Sequence, residues 1–217
     1  MAIHGHGRGV LMRIGIIACD IWKREIDAVV GDDPDIVYKE YLEFALHIDS
    51  VKLKNTVIQK VNSLEGKVDA VFLGYAICQS LKGVKEELRV PTVMLDADDC
   101  IGALLSPMRY AEEKRKVTGT WFNTSGWAEM GLKGVIKELR LDSAIEQGYE
   151  PMYFVNILFQ GYSRCLYIDT GVAEKEHFQK LSEDFSQQLG LRHECTSCGL
   201  EALTKAWEDT KALAQKA

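Results

Sequence analysis

The sequence predicts an α/β protein built on a mostly parallel, doubly wound (Rossmann-like) sheet. Up to about residue 95, short apolar runs alternate with amphipathic stretches in the order β-α-β-α-β-α-β. Right-handed crossovers make a parallel sheet the most economical topology for that order. The second half is less regular. It fits two interlocked lobes, 12–105 and 106–217, within a single domain of residues 12–217, and residues 1–11 are expected to be a flexible leader.

Hydrophobic period and turn residues locate the individual elements. In the first half they predict strands at 13–18, 41–47, 68–74 and 90–95, and helices at 21–30, 51–64 and 80–88. In the second half they predict helices at 107–116, 134–146, 151–160, 174–189 and 200–217, strands at 164–169 and 191–194, and a short strand plus a loop over 119–127.

The composition excludes several classes of partner. The chain has 217 residues, a net charge of -6 and 47% hydrophobic residues, as an ordinary globular protein does. It has no basic stripe, so nucleic-acid binding is not expected. The apolar runs are far shorter than the roughly 20 residues of a membrane helix, so no membrane partner is expected. Six cysteines without a secretory signal predict reduced thiols and a cytoplasmic location, while a homo-oligomer stays open.

Three of the predicted strands are each followed within a few residues by a cysteine. Cys19, Cys78 and Cys100 follow the first, third and fourth strands. Because parallel strands point the same way, the three thiols are expected near one edge of the sheet. Three thiolates facing one point would hold an iron–sulfur cluster or a thiophilic metal ion such as zinc. The alternative is that they are small buried hydrophobic residues, since free cysteine is among the most buried residue types.

Carboxylates and aromatic residues near these turns are candidates for catalysis and for cofactor binding. Asp98 and Asp99 precede Cys100 and are candidate catalytic groups. Lys23 could neutralise an anionic ligand, although a solvated helix face is its alternative role. The other candidates for a cofactor or small-molecule pocket are Trp121, Ser125, Trp127 and Asp169. An aromatic core is an equal alternative for the two tryptophans.

Three further cysteines lie in the second half. Cys195 and Cys198 form a CxxC sequence at a predicted junction between a strand and a helix. That placement is typical of a redox or metal half-site, but two incidental thiols explain it equally well. Cys165 lies inside a predicted strand and is expected to be part of the core.

Six short motifs occur in order along the chain. They are Ile17-Ala18-Cys19-Asp20-x-x-Lys23-Arg24-Glu25, Leu73-Gly74-Tyr75-x-x-Cys78, Asp99-Cys100-Ile101, Gly119-Thr120-Trp121-Phe122, Ser125-Gly126-Trp127 and Tyr167-Ile168-Asp169-Thr170-Gly171. Over residues 12–190 they resemble the uncharacterised family called domain of unknown function 1638. The resemblance implies the same three cysteines, and a histidine is common in the family where this chain has Asp98. It also implies a role beside corrinoid-dependent methyltransferase systems, in methylamine-type one-carbon metabolism.

These observations support three functional hypotheses. The first is a metal- or cluster-binding enzyme or accessory protein of one-carbon metabolism, with Cys19, Cys78 and Cys100 as ligands. The second is a binding module without catalysis, which holds a small molecule, a corrinoid protein or a methyltransferase while the cysteines are structural. The third is metal-free thiol chemistry at Cys100, which its flanking carboxylates should disfavour by raising the thiol pKa.

Overall fold

The computed structural model describes residues 11–44, 46, 49–138, 141, 146–172 and 174–217. Its first lobe is a parallel sheet in the order β2-β1-β3-β4, with helices on its faces. The strands are β1 (Ile14–Cys19), β2 (Ile36–Leu42), β3 (Ala70–Ala76) and β4 (Thr92–Leu95). The helices of this half are α1 (Lys23–Val30), α2 (Ser50–Asn62) and α3 (Cys100–Leu105). This strand order has its topological switch point between β1 and β3.

The second lobe is a smaller parallel sheet in the order β5-β6-β7. Its strands are β5 (Thr120–Asn123), β6 (Arg164–Asp169) and β7 (Arg192–Ser197). The helices of this half are α4 (Pro107–Lys116), α5 (Ser125–Glu138), α6 (Pro151–Phe159), α7 (Lys175–Gln188) and α8 (Glu201–Ala214). Two parallel sheets with helices between their strands confirm the predicted Rossmann-like α/β class.

The two lobes are interlocked by α8. This helix follows the last strand of the second lobe, but it packs against β3, β4 and α1 of the first lobe. Its Trp207 is 3% exposed, belongs to the same core cluster as β1 and β3, and lies 6.2 Å from the ring of Phe72. The last helix therefore forms part of the hydrophobic core of the first lobe.

Burial explains why the central strands were recognised from sequence. All residues of β1 and β3 are buried, so both strands appear as continuous apolar runs. Helix starts also follow sequence signals. Asp49 caps α2 by accepting the backbone N–H of Lys52 at 2.9 Å, and α6 begins at Pro151.

The prediction of the second strand at 41–47 is wrong, because β2 is Ile36–Leu42. This strand is at the edge of the sheet, and its residues alternate between exposed and partly buried. An edge strand needs no continuous apolar run, so the apolar residues Leu42 and Phe44 place the predicted strand too late in the sequence. Residues 45 and 47 of the prediction lie outside the described residues.

The helix predicted at 80–88 is also wrong. Only two short 3-10 turns form there, Gln79–Leu81 and Lys85–Glu87. Between them Gly83 has a φ of 70°, a left-handed conformation that ends a right-handed helix.

Gly131 divides α5 into two segments, because its φ of 55° is non-helical. The segment after Gly131 corresponds to the start of the helix predicted at 134–146, and the described part ends at Glu138. The segment before Gly131 begins at Ser125, where a loop was expected after the short strand. Residues 139–140 and 142–145 of the prediction lie outside the described residues, as do residues 1–10 of the predicted leader. Within the described chain, we find no helix long and apolar enough to cross a membrane.

Candidate ligand site between the two lobes

The predicted thiols lie at the carboxyl edge of the first sheet. Cys19 ends β1, Cys78 follows β3, and Cys100 begins α3 after β4. Tyr75 in β3 is buried, which raises the pKa of its hydroxyl, and the negative charges of Cys19, Cys100 and Cys78 as thiolates would raise it further. All three cysteines therefore interact electrostatically with the same buried phenol.

The environment of Cys100 favours a neutral thiol. Burial raises its pKa to about 12, and the nearby Cys78 and Asp99 also raise it. Hydrogen bonds from backbone N–H groups, including that of Ala76, act in the opposite direction but are outweighed. The predicted effect of the flanking carboxylates is confirmed in direction, although burial is the larger cause.

No metal-ligand set is formed by the described residues. Among them, no group of three or more His, Cys, Asp and Glu side chains is arranged to hold a metal ion. An iron–sulfur cluster or metal ion at Cys19, Cys78 and Cys100 stays a prediction.

An inner cavity of about 260 Å³ opens beside Cys78 and Cys100, between the two lobes. Its described lining residues are Ile21, Trp22, Phe44, Cys78, Asp99, Cys100, Ile101, Thr124 and Trp127. Thr124 and Trp127 come from the second lobe, and the other lining residues come from the first half of the chain. The wall is thus apolar and aromatic, with two thiols, one carboxylate and one hydroxyl.

Thr124 contributes a hydroxyl that finds no partner within the described part of the protein. The residue is only 3% exposed, and its Oγ1 is fully buried. Leaving a buried hydroxyl without a hydrogen bond is unfavourable by about 1–3 kcal/mol.

An outer cleft of about 570 Å³ adjoins this cavity and shares Ile21 and Phe44 with it. Two ion pairs cross the cleft from α5: Glu129 with Arg24 at 2.8 Å, and Lys137 with Glu43 at 3.0 Å. Lys23 lines the same cleft, with its Nζ 5.7 Å from the ring centre of Tyr41. The outer cleft is therefore charged, whereas the inner cavity is mostly apolar.

A buried carboxylate joins the lobes next to this cleft. Glu25 on α1 is 2% exposed, and its Oε1 accepts hydrogen bonds from Ser125 Oγ at 2.9 Å and Thr170 Oγ1 at 3.0 Å. Ser125 was predicted to bind a cofactor, but here it holds α5 against α1. Sequence reasoning missed Glu25, although it stands beside Lys23 in the first motif of the family resemblance.

The predicted catalytic carboxylates have different positions. Asp99 lines the inner cavity and caps α3, because its Oδ1 accepts the backbone N–H of Gly102 at 2.7 Å. The hydroxyl of Tyr110 also bonds to Asp99. Asp98 is exposed and is not among the described lining residues of the inner cavity or the outer cleft.

Of the other predicted cofactor-binding residues, one lines the cavity, one lies in the core and one stabilises a turn. Trp127 lines the cavity and packs edge-on against Phe44 at 4.5 Å and Trp121 at 5.1 Å. Trp121 lies in the aromatic core of the second lobe, which was its alternative role. Asp169 stabilises the turn after β6, since its Oδ1 accepts the N–H of Gly171 at 2.9 Å.

The CxxC pair spans the end of β7. Cys195 lies inside the strand, which ends at Ser197, and Cys198 lies in the turn before α8, so the predicted strand-to-helix junction is confirmed. Residues three apart in extended chain have Cα atoms about 10 Å apart, which is too far for a disulfide. Cys165 is buried in β6, 3.7 Å from Ser182 Oγ.

Two parallel sheets, interlocked by α8 and separated by a lined cavity, define a two-lobed Rossmann-like α/β protein. The chain belongs to the family described as protein of unknown function (DUF1638), whose model matches residues 41–207. No curated protein and no solved structure matches the chain. The predicted family membership is confirmed, and the function must be argued from the site itself.

Proposed function

We propose that this protein is a binding module that holds a small organic molecule between its two lobes. The observation that supports the proposal is the inner cavity at the carboxyl ends of β1 and β3, which residues of both lobes line. In doubly wound proteins ligands bind outside the carboxyl ends of the strands, at the switch point. Sites of this kind combine apolar walls with a few polar groups, as this cavity does.

The walls of the cavity suit a ligand held by packing. Trp127 reaches the cavity from α5, and Trp22 and Phe44 reach it from the first half of the chain. Aromatic side chains supply large contact areas at a small entropic cost. In this proposal Cys78 and Cys100 are wall residues, and their thiols need not react.

A fragment screen followed by saturation-transfer NMR tests the binding role. We expect several uncharged fragments to bind the wild-type protein and to lose affinity about tenfold in Trp127→Ala. Binding should stay within twofold in Cys78→Ser. Tyr153→Ala is the matched aromatic control, because Tyr153 is 61% exposed on α6. The proposal fails if no fragment depends on Trp127, or if Cys78→Ser weakens binding as much as Trp127→Ala.

A second candidate function is a thiophilic metal or iron–sulfur site. The observation that favours it is the position of Cys19, Cys78 and Cys100 at the carboxyl edge of one sheet, where all three interact electrostatically with Tyr75. Metal binding would require these thiols to lose their protons and to turn toward a common point, because ligation needs thiolates. A cluster or zinc ion held by three cysteines would keep one coordination position open for substrate.

Metal analysis decides this second candidate. Protein purified without oxygen would be assayed for iron, zinc, cobalt and acid-labile sulfide, beside Cys100→Ser. Stoichiometric metal that is lost in Cys100→Ser supports the site. Metal that stays in Cys100→Ser, or a metal-free wild-type protein, argues against it.

The cellular setting is a separate proposal. The family resemblance supports a cytoplasmic role in corrinoid-linked one-carbon metabolism, with a corrinoid protein or a methyltransferase as partner. Co-elution of the purified protein with such a partner in size-exclusion chromatography tests this. Independent elution at micromolar concentrations would count against a stable complex.

A further inference from the structure

A second concave surface, the aromatic cleft, lies beside the inner cavity and shares Ile101 and Trp127 with it. Its volume is about 460 Å³. Five aromatic side chains and a lysine are among its described lining residues: Tyr110, Trp121, Phe122, Trp127, Tyr162 and Lys114. We propose that this cleft binds a planar aromatic molecule that carries one negative charge, with Lys114 as the partner of that charge. It is a separate site from the inner cavity and goes beyond the proposed function.

The aromatic side chains of the cleft contact one another without being fully buried. The ring centres of Tyr110 and Phe122 are 5.0 Å apart, and those of Trp121 and Tyr162 are 5.9 Å apart, both pairs edge-on. All five aromatic residues of the cleft are partly exposed, whereas Tyr167 in the core is only 1% exposed. Neighbouring apolar groups that stay exposed on a concave surface are typical of a ligand groove.

Backbone contacts fix the two segments that carry Trp121 and Tyr162. A Cβ on Gly119 would collide with the carbonyl oxygen of Gly161, so the chain before β5 packs directly on the chain before β6. The carbonyl oxygen of Gly119 also accepts the N–H of Ser163 at 2.8 Å. The cleft is therefore formed before a ligand arrives, which lowers the entropic cost of binding.

The rings select the shape of the ligand. Aromatic side chains favour stacked or edge-on contacts with another flat ring, and such contacts add about 0.5–1.5 kcal/mol to simple burial. A puckered aliphatic ring of similar size gains the burial alone. The volume of the cleft is about three times that of the roughly 150 Å³ cavity that holds benzene, so two fused rings with a short substituent fit.

Lys114 on α4 supplies the charge complementarity. Its side chain is exposed, and its Nζ lies 3.9 Å from the ring centre of Tyr110, at the cleft. The carboxylate of a ligand that packs beside Tyr110 would pair with this ammonium group. An exposed ion pair contributes at most about 1 kcal/mol. The aromatic contacts therefore supply most of the affinity, and Lys114 sets the preference for an anion.

Four probes test the ligand class by NMR titration of the full-length wild-type protein at neutral pH. Indoleacetate, tryptophol and tryptamine share a flat indole ring and carry an anionic, a neutral and a cationic group respectively, whereas cyclohexylacetate is an anion with a puckered ring. We expect indoleacetate to bind about fivefold more tightly than tryptophol. Tryptamine and cyclohexylacetate should bind more weakly than indoleacetate by a larger factor. Added salt should reduce the preference for indoleacetate over tryptophol, because it screens exposed charges.

Lys114→Gln removes the charge and should abolish the preference for indoleacetate, while tryptophol binds within twofold of the wild type. Arg115→Gln is the matched control, because Arg115 is the next residue of α4, is exposed and is not among the described lining residues. Its preference should equal that of the wild type. Phe122→Leu keeps an apolar side chain but removes a ring, so both ligands should bind about fivefold more weakly. Circular dichroism verifies that each variant is folded.

The outcomes separate this inference from the proposed function. The inference is wrong if no probe binds, if tryptamine or cyclohexylacetate binds as tightly as indoleacetate, or if Lys114→Gln keeps the preference. It is also wrong if Phe122→Leu leaves both affinities unchanged. Uncharged fragments that depend on Trp127 but keep their affinity in Phe122→Leu bind the inner cavity, because Phe122 is not among its described lining residues. Loss of those fragments alone would contradict the proposed function and leave the aromatic cleft standing.

Discussion

The carboxylate of Glu25 connects the two lobes directly. It is buried on α1 and accepts hydrogen bonds from Ser125 on α5 and from Thr170 after β6. Hydrogen bonds to a buried carboxylate are stronger than those between neutral groups. One side chain of the first lobe thus fixes two segments of the second.

Glu25→Ala should destabilise the protein by about 2–4 kcal/mol in urea unfolding, because it leaves the buried hydroxyls of Ser125 and Thr170 without their acceptor. Ser125→Ala should have a smaller effect of about 1 kcal/mol. Glu129→Ala is the control, since Glu129 forms an exposed ion pair worth at most about 1 kcal/mol. Equal effects of Glu25→Ala and Glu129→Ala would contradict the role of Glu25.

The first turn of α5 packs directly against the first lobe. A Cβ on Gly126 would lie 2.4 Å from the carbonyl oxygen of Ile21, in the turn that follows β1. Only glycine lets the backbone of the helix approach that closely. The same approach brings Trp127, the next residue, to the inner cavity.

Gly126→Ala distinguishes the effect of helix propensity on stability from the effect of the close contact between the lobes. Propensity alone predicts a gain of about 1 kcal/mol for alanine in a helix, whereas the close contact predicts a loss of about 1–3 kcal/mol. We expect the loss, measured by urea unfolding, together with weaker fragment binding. Gly161→Ala should be tolerated, because a Cβ there meets no atom within 4 Å. A more stable Gly126→Ala protein would show that the lobes adjust freely.

The packing of α8 on the first sheet should make the two lobes unfold together. Trp207→Ala removes a side chain buried against β3, and such changes are unfavourable by about 3–5 kcal/mol. We expect one shared transition at a lower urea concentration, by circular dichroism and by the fluorescence of the remaining tryptophans. Lys205→Ala, on the exposed face of α8, is the control. Two separated transitions in the wild type would contradict the interlocked arrangement.

For the molecule as a whole, buried thiols and a buried phenol predict that the free energy of unfolding decreases at alkaline pH. Cys100 holds its proton up to a pKa of about 12 when folded, whereas its ordinary value is 9.0. Above pH 9 the unfolded chain therefore binds fewer protons than the folded one, and the free energy of unfolding falls as pH rises. Burial raises the pKa of Cys165, Cys198 and Tyr75 too, so their effects have the same sign.

Urea unfolding between pH 8 and pH 10 measures this dependence. We expect constant stability below about pH 9 and then a decline, to which Cys100 contributes up to about 1.4 kcal/mol per pH unit. Cys100→Ser should flatten the decline, since serine does not titrate in this range. An unchanged slope in Cys100→Ser would mean that the thiol is not held neutral by the fold.

Several elements were predictable because local sequence and tertiary packing agree. The continuous apolar runs of β1 and β3 are buried on both faces, and both strands were found. The prediction of β2 failed because an edge strand carries Lys39 and Glu40 instead of an apolar run. The segment of α5 before Gly131 was predicted as a loop, because Gly126 lowers helix propensity and is explained only by a contact far away in sequence.

The α/β class, the parallel first sheet and the position of three cysteines at its carboxyl edge are predictable from the sequence. These features follow from hydrophobic period and strand direction, which are local properties of the chain. The burial of Glu25, the position of Thr124 on a cavity wall and the return of α8 to the first lobe are visible only in the folded protein. Each of these depends on which distant surfaces meet, because burial of a polar side chain is set by its neighbours in space.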